Sequence, residues 1–235
     1  MQLLVNEIFR SVQGEGLLMG QPSVFLRLSL CNVNCPMCDT DYHQGVKVSL
    51  SDIVKAITGP YARGGIRHLV ITGGEPYIHP ALSEFLATMR ELHRDWHITI
   101  ETSGSIVPGT VLNLDLLSLS PKFMSLKPAE NSHMGLNILK ESFLRILELP
   151  RKENSCQVKL VWTGDPVDVP DWLPDMISDL AQNSIPVFFQ PMTDGREFEL
   201  NSYLKLFAKV TAAVQNTFGA YPRTLPQLHK FCNWR

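Results

Sequence analysis

Three cysteines that lie close together along the chain are the residues best suited to chemistry. Cys31, Cys35 and Cys38 follow the spacing CxxxCxxC, so three thiolates fall within eight residues. Thiolates are the usual ligands of iron–sulfur clusters and of structural zinc. Three of them are the natural number for a [4Fe–4S] cluster that leaves one iron open to another ligand.

A zinc site or a disulfide framework is a weaker interpretation of the same cysteines. A closed zinc site needs four ligands, and the nearest additional candidates, Asp39, Asp41 and His43, do not complete a familiar zinc set. The total of five cysteines is odd and two of them, Cys156 and Cys232, stand alone, which does not suit paired disulfides. We expect these two to be inert or mildly redox-sensitive.

A glycine-rich stretch, Thr72-Gly73-Gly74-Glu75-Pro76, is the second feature with chemical potential. Successive glycines allow the backbone to approach a ligand closely and to adopt positive φ. A tight turn between a strand and a helix would explain the same glycines without any ligand. Because the same chain also carries the cysteine group, we favour the interpretation that these glycines approach a ligand.

Polar stretches also follow the later apolar runs. Ser103 and the stretch Ser120-Pro121-Lys122 offer hydroxyl and ammonium donors to a ribose or a carboxylate, although serine and proline are also ordinary turn residues. Backbone groups around Gln190 can read the edge of an adenine ring. Met192 would then pack on that ring or, nearly as well, in the core.

Short apolar runs and longer amphipathic stretches alternate along the chain and must position these residues. The apolar runs are Val24–Leu30, His68–Thr72, Ile98–Thr102, Leu116–Ser120, Val158–Trp162 and Val187–Gln190. The helical stretches are Ser51–Ile57, Ile138–Leu147, Trp172–Ala181 and the stripes Leu82-Phe85-Leu86-Met89 and Leu200-Tyr203-Leu204-Phe207. This alternation predicts a parallel sheet with helical cover.

The number of units favours a partial barrel over a complete one. A full eight-fold barrel usually needs ~250 residues, whereas six strand-helix units fit a partial (β/α)6 barrel of the TIM type. An extra strand near Leu3–Phe9 would flank it, and a doubly wound sheet is the alternative fold. In either fold the polar stretches follow the carboxyl ends of the strands, so we expect them to meet at one mouth.

Composition and charge place the chain among ordinary globular proteins. Of 235 residues, 44% are hydrophobic and the formal net charge is -2, which predicts one large domain over residues 1–235. The near-neutral charge gives no signal for nucleic acid or an anionic membrane. No apolar run approaches the ~18 residues of a membrane span and the start lacks a basic signal region, so we expect a cytoplasmic protein.

The CxxxCxxC loop after the first strand and the Gly-Gly-Glu-Pro stretch after the second together resemble the radical S-adenosylmethionine (SAM) superfamily. The resemblance implies a partial (β/α)6 barrel whose three cysteines hold three irons of a [4Fe–4S] cluster while the fourth iron chelates SAM. Reduction of the cluster then cleaves SAM to methionine and a 5′-deoxyadenosyl radical. The implied SAM site consists of Gly73, Gly74, Glu75, Ser103, Ser120, Pro121, Lys122 and Gln190. We expect Gly74 to contact the SAM amino group. Glu75 either belongs to the same SAM site or positions neighbouring backbone instead.

The N-terminal third narrows the resemblance further. The stretches Glu7–Gly16, Gln21–Leu28 and Cys38-Asp39-Thr40 resemble the 7-carboxy-7-deazaguanine synthase family. The similarity is specific from Asn6 to Gly104 and continues more loosely to Lys230. That family converts 6-carboxy-5,6,7,8-tetrahydropterin to 7-carboxy-7-deazaguanine with loss of ammonia, in queuosine and 7-deazapurine biosynthesis. The resemblance implies catalytic use of SAM, a Mg2+ ion, a homodimer and an electron donor such as flavodoxin or ferredoxin.

The expected substrate residues suit the chemistry of a carboxypterin. A carboxylate pairs well with the planar fork of Arg27, which lies in an otherwise apolar run and therefore needs a partner. An amino-pyrimidinone edge requires alternating donors and acceptors. The residues expected to line that edge are Val12, Gln13, Gly14, Glu15 and Thr72. His229, together with Lys230, is expected to close the site, and an ordinary surface histidine is the equal alternative.

Thr40 and Asp39 bring hard oxygen atoms next to the last cysteine of the group, and such atoms suit Mg2+. By resemblance we expect Thr40 to be the direct ligand. The two residues would otherwise only cap the following turn.

Two rival functions share some of these motifs. A radical SAM activase that places a glycyl radical on a partner protein would share the cysteines. Such an enzyme would have less need of Arg27 and Gln13-Gly14-Glu15, which suit a small carboxylate substrate. A zinc-stabilised binding module is the rival that is not an enzyme. Some relatives end in a carboxylate that touches substrate, but this chain continues to Arg235, so we expect no such contact.

Overall fold

The computed structural model describes residues 1–33, 35, 38, 40–123, 136–152, 155–193 and 199–232. The strands are β1 (Gln2–Val12), β2 (Pro22–Leu28), β3 (Val46–Ser49), β4 (His68–Gly73), β5 (His97–Thr102), β6 (Leu116–Leu119), β7 (Cys156–Trp162), β8 (Val187–Pro191) and β9 (Arg223–Thr224). The α-helices are α1 (Leu50–Thr58), α2 (Leu82–Leu92), α3 (Leu136–Glu148), α4 (Leu173–Gln182), α5 (Leu200–Phe218) and α6 (Leu228–Cys232).

The described strands form one sheet in the order β3-β1-β2-β4-β5-β6-β7-β8-β9. The six strands from β2 to β8 in this order are all parallel, which confirms the predicted partial (β/α)6 barrel and excludes the doubly wound order. Strand β1 pairs antiparallel with β2 and is the predicted extra strand, longer at both ends. The short edge strands β3 and β9 were not predicted.

The connection from β5 to β6 departs from a strict strand-helix repeat. Residues 103–115 contain turns and bends but no helix. Gly104, Pro108 and Gly109 fall within this stretch, and glycine and proline both disfavour a helix interior. Val111 and Leu114 are nevertheless buried, so the loop covers the sheet where a helix would otherwise lie.

Alternation along the strands separates an apolar outer face from a polar inner face. In β5, Ile98 and Ile100 belong to the hydrophobic core beneath the helices, whereas Thr99 and Glu101 do not. Successive side chains of a strand point to opposite faces, so the second pair points into the barrel. Strand β7 repeats the alternation, with Val158, Leu160 and Trp162 in the outer core and Gln157 on the inner face.

The helices cover the sheet with amphipathic faces. The predicted stripe of α2 is confirmed, because all four of its residues are buried. The predicted stripe of α5 is wrong in part, since Leu200 and Leu204 are 47% and 48% exposed. The buried face of α5 carries Tyr203, which the predicted stripe included, together with Val210 and Val214. The helix carries two apolar sets at helical spacing, and only packing decides between them.

The sheet curls until its two ends approach each other, but it does not close. The loop after β1 meets the segment after β9, where the backbone N–H of Leu228 donates to the carbonyl of Gly14 at 2.9 Å. Chain-distant parts of the protein therefore share the mouth of the barrel. No helix among the described residues is long and apolar enough to span a membrane.

Candidate active site

A cavity of about 1050 Å³ lies at the carboxyl ends of the parallel strands. It is lined by the three clustered cysteines and by most of the residues predicted to bind a cofactor or substrate. These are Val12, Gln13, Gly14, Glu15, Arg27, Cys31, Cys35, Cys38, Thr40, Thr72, Gly73, Gly74, Ser103, Ser120, Lys122, Gln190 and His229. Glu75 and Pro121 are not part of this lining. The predicted convergence on one mouth is therefore present.

The three cysteines sit on a loop that leaves β2 through a strained turn. Leu30, directly before Cys31, has a φ of 71°, a conformation that costs a residue with a branched side chain of this size roughly 1–2 kcal/mol. Cys31 and Cys35 are half-buried and Cys38 is exposed to the cavity mouth. The backbone N–H of Val33 points at the sulfur of Cys31, 3.4 Å away. Asp39, a predicted neighbour of the magnesium site, lies outside the described residues.

The environment of Cys35 suits a thiol that loses its proton to a metal. Burial raises the pKa of Cys35 to about 11, the Lys122 ammonium opposes that rise, and the neighbouring cysteines add to it. A coordinating metal removes such a proton outright. Without a metal, Cys35 would keep its proton near neutral pH.

The cysteines do not converge on a single point. Among the described residues, no three His, Cys, Asp or Glu side chains are placed to hold one metal ion. A [4Fe–4S] cluster takes each thiolate on a different iron, so its ligands surround a larger body. The arrangement therefore fits the cluster better than a structural zinc ion.

The paired glycines let the end of β4 pack directly against the start of the cysteine loop. A Cβ on Gly73 would lie 2.0 Å from the carbonyl oxygen of Leu28, and one on Gly74 would lie 1.9 Å from that of Leu30. The N–H of Gly74 donates to the Leu28 carbonyl at 3.0 Å. Close approach of two backbones is thus what requires glycine here.

Glu75 anchors this turn to the neighbouring strand. Its side chain is fully buried, and its two oxygens accept hydrogen bonds from four donors. The donors are the N–H of Tyr77, the hydroxyl of Thr102, and the N–H and hydroxyl of Ser103. These contacts agree with the second of the two expected roles of Glu75. The side chain positions neighbouring backbone, and the adjacent residues are the ones placed to contact a cofactor.

The later strand ends bring donors to the same cavity. The Lys122 ammonium donates to the Ser120 hydroxyl at 2.9 Å. Gln190 is 1% exposed, and its side-chain nitrogen has no hydrogen-bond partner within the described part of the chain. A buried donor without a partner is costly, so Gln190 is well suited to a bound ligand.

Arg27 points inward as predicted, and its protein partner is Glu7. The guanidinium Nε donates to Glu7 at 2.9 Å and Nη1 donates to the Thr40 hydroxyl at 3.3 Å. Arg27 and Glu7 face each other across the β1–β2 ladder. Once the antiparallel pairing of these two strands is known, the sequence therefore predicts this ion pair. Thr72 lies beside Arg27 on the neighbouring strand.

The loop after β1 and the last described helix meet over the cavity. Gln13 is 4% exposed, and its amide accepts from the N–H of Glu15 at 3.2 Å. A Cβ on Gly14 would lie 2.6 Å from the His229 ring. His229 is therefore brought against the N-terminal motif, although the two are at opposite ends of the sequence.

Lys159 is a residue of this site that sequence reasoning missed. It lies in the middle of β7, its side chain is 3% exposed, and its ammonium is 2.7 Å from Glu15 and 2.9 Å from Glu101. Lys159 lies between Val158 and Leu160, so it is an inward-facing charged residue in an otherwise apolar strand. The same feature identified Arg27 as a candidate site residue. Applied to β7, the same reasoning would have found it.

Comparison with known proteins agrees with this geometry. The model of the radical SAM superfamily matches residues 27–153. The 7-carboxy-7-deazaguanine synthase of Rhodopirellula baltica is 37% identical over 191 residues, covering 78% of this chain and 69% of that protein. The enzyme of the same name from Rickettsia prowazekii is 34% identical and covers 98% of this chain and 88% of its own length.

A solved structure supports the fold independently. The crystal structure of QueE from Escherichia coli has a TM-score of 0.64 at 24% identity, and the match covers 97% of this chain and 95% of that one. The family itself is shown by the two sequence relatives, which are 37% and 34% identical and are covered over 69% and 88% of their own length. The chain belongs to the 7-carboxy-7-deazaguanine synthase family, within the radical SAM superfamily.

Proposed function

We propose that this chain contracts the ring of 6-carboxy-5,6,7,8-tetrahydropterin to give 7-carboxy-7-deazaguanine and ammonia. The observation that carries the proposal is the meeting of the cysteine loop, Arg27 and Gln13-Gly14-Glu15 in one cavity. Family membership favours this reaction over activation of a partner protein. A cavity of this size, lined by both polar and apolar groups, also suits a bicyclic substrate next to SAM.

The residues of the cavity divide between cofactor and substrate. Cys31, Cys35 and Cys38 would hold the [4Fe–4S] cluster, which together with SAM supplies the 5′-deoxyadenosyl radical. The N–H of Gly74 is already used within the protein, so its carbonyl is the group available to accept from the SAM amino group. The free amide nitrogen of Gln190 would donate to the nucleoside part of SAM.

Anaerobic turnover tests the function directly. Purified protein with a reconstituted cluster is incubated with 6-carboxytetrahydropterin, SAM, Mg2+ and a chemical reductant, and products are separated by chromatography. We expect 7-carboxy-7-deazaguanine in excess over consumed SAM, because SAM is regenerated in each cycle. Cleavage of SAM without any deazaguanine would reject the proposal. Flavodoxin and ferredoxin are the proposed natural electron donors, and a homodimer the proposed assembly.

Arg27 is proposed to bind the pterin carboxylate. Its contacts with Glu7 and Thr40 use one hydrogen on Nε and one on Nη1. Both terminal nitrogens therefore keep hydrogens that can reach a carboxylate as a fork. Glu7 would hold the guanidinium in the orientation that this requires.

Replacing Arg27 by lysine keeps the charge but removes the planar fork. A hydrogen bond to a charged group contributes about 1.5–3 kcal/mol, so KM for the carboxypterin should rise by roughly 10- to 150-fold. The Kd of SAM should stay within twofold, as measured by equilibrium dialysis. Arg10→Lys, at an exposed position of β1, is the matched control and should change neither value. Equal weakening of SAM and substrate would assign Arg27 a different role.

Thr40 is proposed as the protein ligand of Mg2+. Its hydroxyl lines the cavity and accepts from Arg27, which leaves a second lone pair for a cation. Magnesium usually keeps several waters and binds through few protein groups plus the substrate. The pterin carboxylate would then lie between Arg27 and the metal.

Thr40→Val removes the oxygen while keeping the shape of the side chain. Turnover should fall at least tenfold and no longer respond to added Mg2+, whereas the absorbance of the cluster should stay unchanged. Thr40→Ser restores the oxygen and should recover the Mg2+ response. Thr211→Val, in α5 and outside the cavity lining, serves as the control. An unchanged Mg2+ activation curve in Thr40→Val would remove Thr40 from the metal site.

A further inference from the structure

Lys159 joins three separate parts of the chain at the wall of the cavity. Its ammonium contacts Glu15, from the loop after β1, and Glu101, from β5. The two carboxylates are only 17% and 19% exposed, and both line the cavity. One buried cation therefore holds two carboxylates that face the space where a ligand would bind.

Amide side chains complete the arrangement around these carboxylates. Gln13 donates to the Oε1 of Glu101 at 3.2 Å, and Gln227 donates to the Oε1 of Glu15 at 2.8 Å. Within the described residues, Glu101 receives its hydrogen bonds on Oε1, so Oε2 is available as an acceptor. The group as a whole carries one net negative charge at the cavity wall.

We propose that Lys159 is a positioning residue for substrate binding, which holds Glu15 and Glu101 in place as ionised acceptors for the N–H donors of the pterin ring. The inference rests on the proposed function for the identity of the ligand. The ammonium of Lys159 is engaged by the two carboxylates, and its proposed effect on the substrate acts through them. Lys159 would act by fixing the positions of the two acceptors and by keeping Glu15 ionised.

Electrostatics supports this role. Burial alone would raise the pKa of Glu15, but attraction by Lys159 and His229 outweighs it and holds that pKa at about 2. Burial would lower the pKa of Lys159, but attraction by Glu101 and Glu15 raises it above its ordinary value of 10.5. Between about pH 5 and pH 9 the pair Glu15–Lys159 therefore does not titrate. Stabilisation from ionised Glu15 is lost only as the pH falls towards 2.

Removal of the lysine reverses this behaviour. Burial raises the pKa of Glu15, and the attraction of Lys159 that opposes this rise would then be lost, so Glu15 would take up a proton more readily. The other titratable groups facing Glu15 are His229 and Tyr203, and they remain in every variant. A protonated Glu15 donates a hydrogen bond where it had accepted one, so binding of the pterin should weaken as the pH falls.

Binding of an unreactive ligand tests the inference without turnover. The oxidised analogue 6-carboxypterin is titrated calorimetrically into the reconstituted holoenzyme with SAM present, at pH 8 and pH 6. Lys159→Met should raise its Kd at least tenfold at pH 8 and severalfold more at pH 6, relative to the unaltered protein. The Kd of SAM should change less than twofold. Lys55→Met, whose side chain is 79% exposed, is the control and should leave both constants unchanged.

Lys159→Arg gives a second, independent measurement if the methionine variant does not fold. Arginine keeps the charge but cannot place one nitrogen at the same distances from both carboxylates, so binding should weaken severalfold without a new pH dependence. A folded Lys159→Met protein that binds 6-carboxypterin normally at both pH values would overturn the inference, as would normal binding by Lys159→Arg. Failure of the unaltered protein to form deazaguanine would instead reject the proposed function.

Discussion

Replacing Cys35 by alanine should abolish the charge-transfer absorbance of the cluster and reduce SAM cleavage to background. Two thiolates cannot hold three irons, and the three cysteines share one loop beside the cavity. The effect is close to complete, because both the cofactor and the source of the radical are lost. Absorbance and iron content after anaerobic reconstitution measure the first loss, and methionine release measures the second.

Cys156→Ala is the matched control for this experiment. Cys156 is 2% exposed and belongs to the hydrophobic core, and burial raises the pKa of its thiol to about 11. It is a small apolar filler at the opposite end of its strand from the cavity. Its variant should keep the cluster and its activity. Full iron content in Cys35→Ala would contradict the assignment of the cysteines.

Glu75→Gln should produce the second large effect, on stability and SAM binding together. The carboxylate accepts four hydrogen bonds, and an amide nitrogen at one of the two oxygen positions would meet donors that it cannot pair with. Leaving such buried donors unpaired costs about 2–4 kcal/mol. For a chain of this size the melting temperature should fall by roughly 4–16 °C, which calorimetry measures.

The loss should extend to the cofactor because Glu75 holds Ser103 and the glycine turn. Affinity for SAM should fall at least tenfold in equilibrium dialysis, even at a temperature where the variant is folded. Glu91→Gln, at an exposed position in the last turn of α2, is the control and should melt like the unaltered protein. A Glu75→Gln protein with normal melting and normal SAM affinity would show that the buried carboxylate has no such role.

The sheet and its mouth were predictable from sequence because the signals are local. Each parallel strand is an apolar run, and each ends in a polar or glycine-rich stretch within a few residues. The same local pattern placed α2 correctly. It could not choose between two stripes on α5, nor find β9, which is only two residues long.

The contacts that build the site were harder to predict because they join distant parts of the chain. Lys159 lies 144 positions from Glu15 and 58 from Glu101. No spacing rule links residues so far apart, so their meeting depends on how far the sheet curls. Glu75 shows the same limit. Its motif predicts a loop near a ligand, but it does not predict that the carboxylate accepts a hydrogen bond from the Ser103 hydroxyl, 28 positions away.

Contact between the two ends of the chain also determines when the site can form during protein synthesis. Gln227 and Glu15, joined by a hydrogen bond, are 212 positions apart, and Leu228 bonds directly to Gly14. A ribosome releases the N-terminal motif long before it makes its partners. The nascent chain can build most of the barrel first, yet it cannot assemble this wall of the cavity until residues 227–229 have left the exit tunnel.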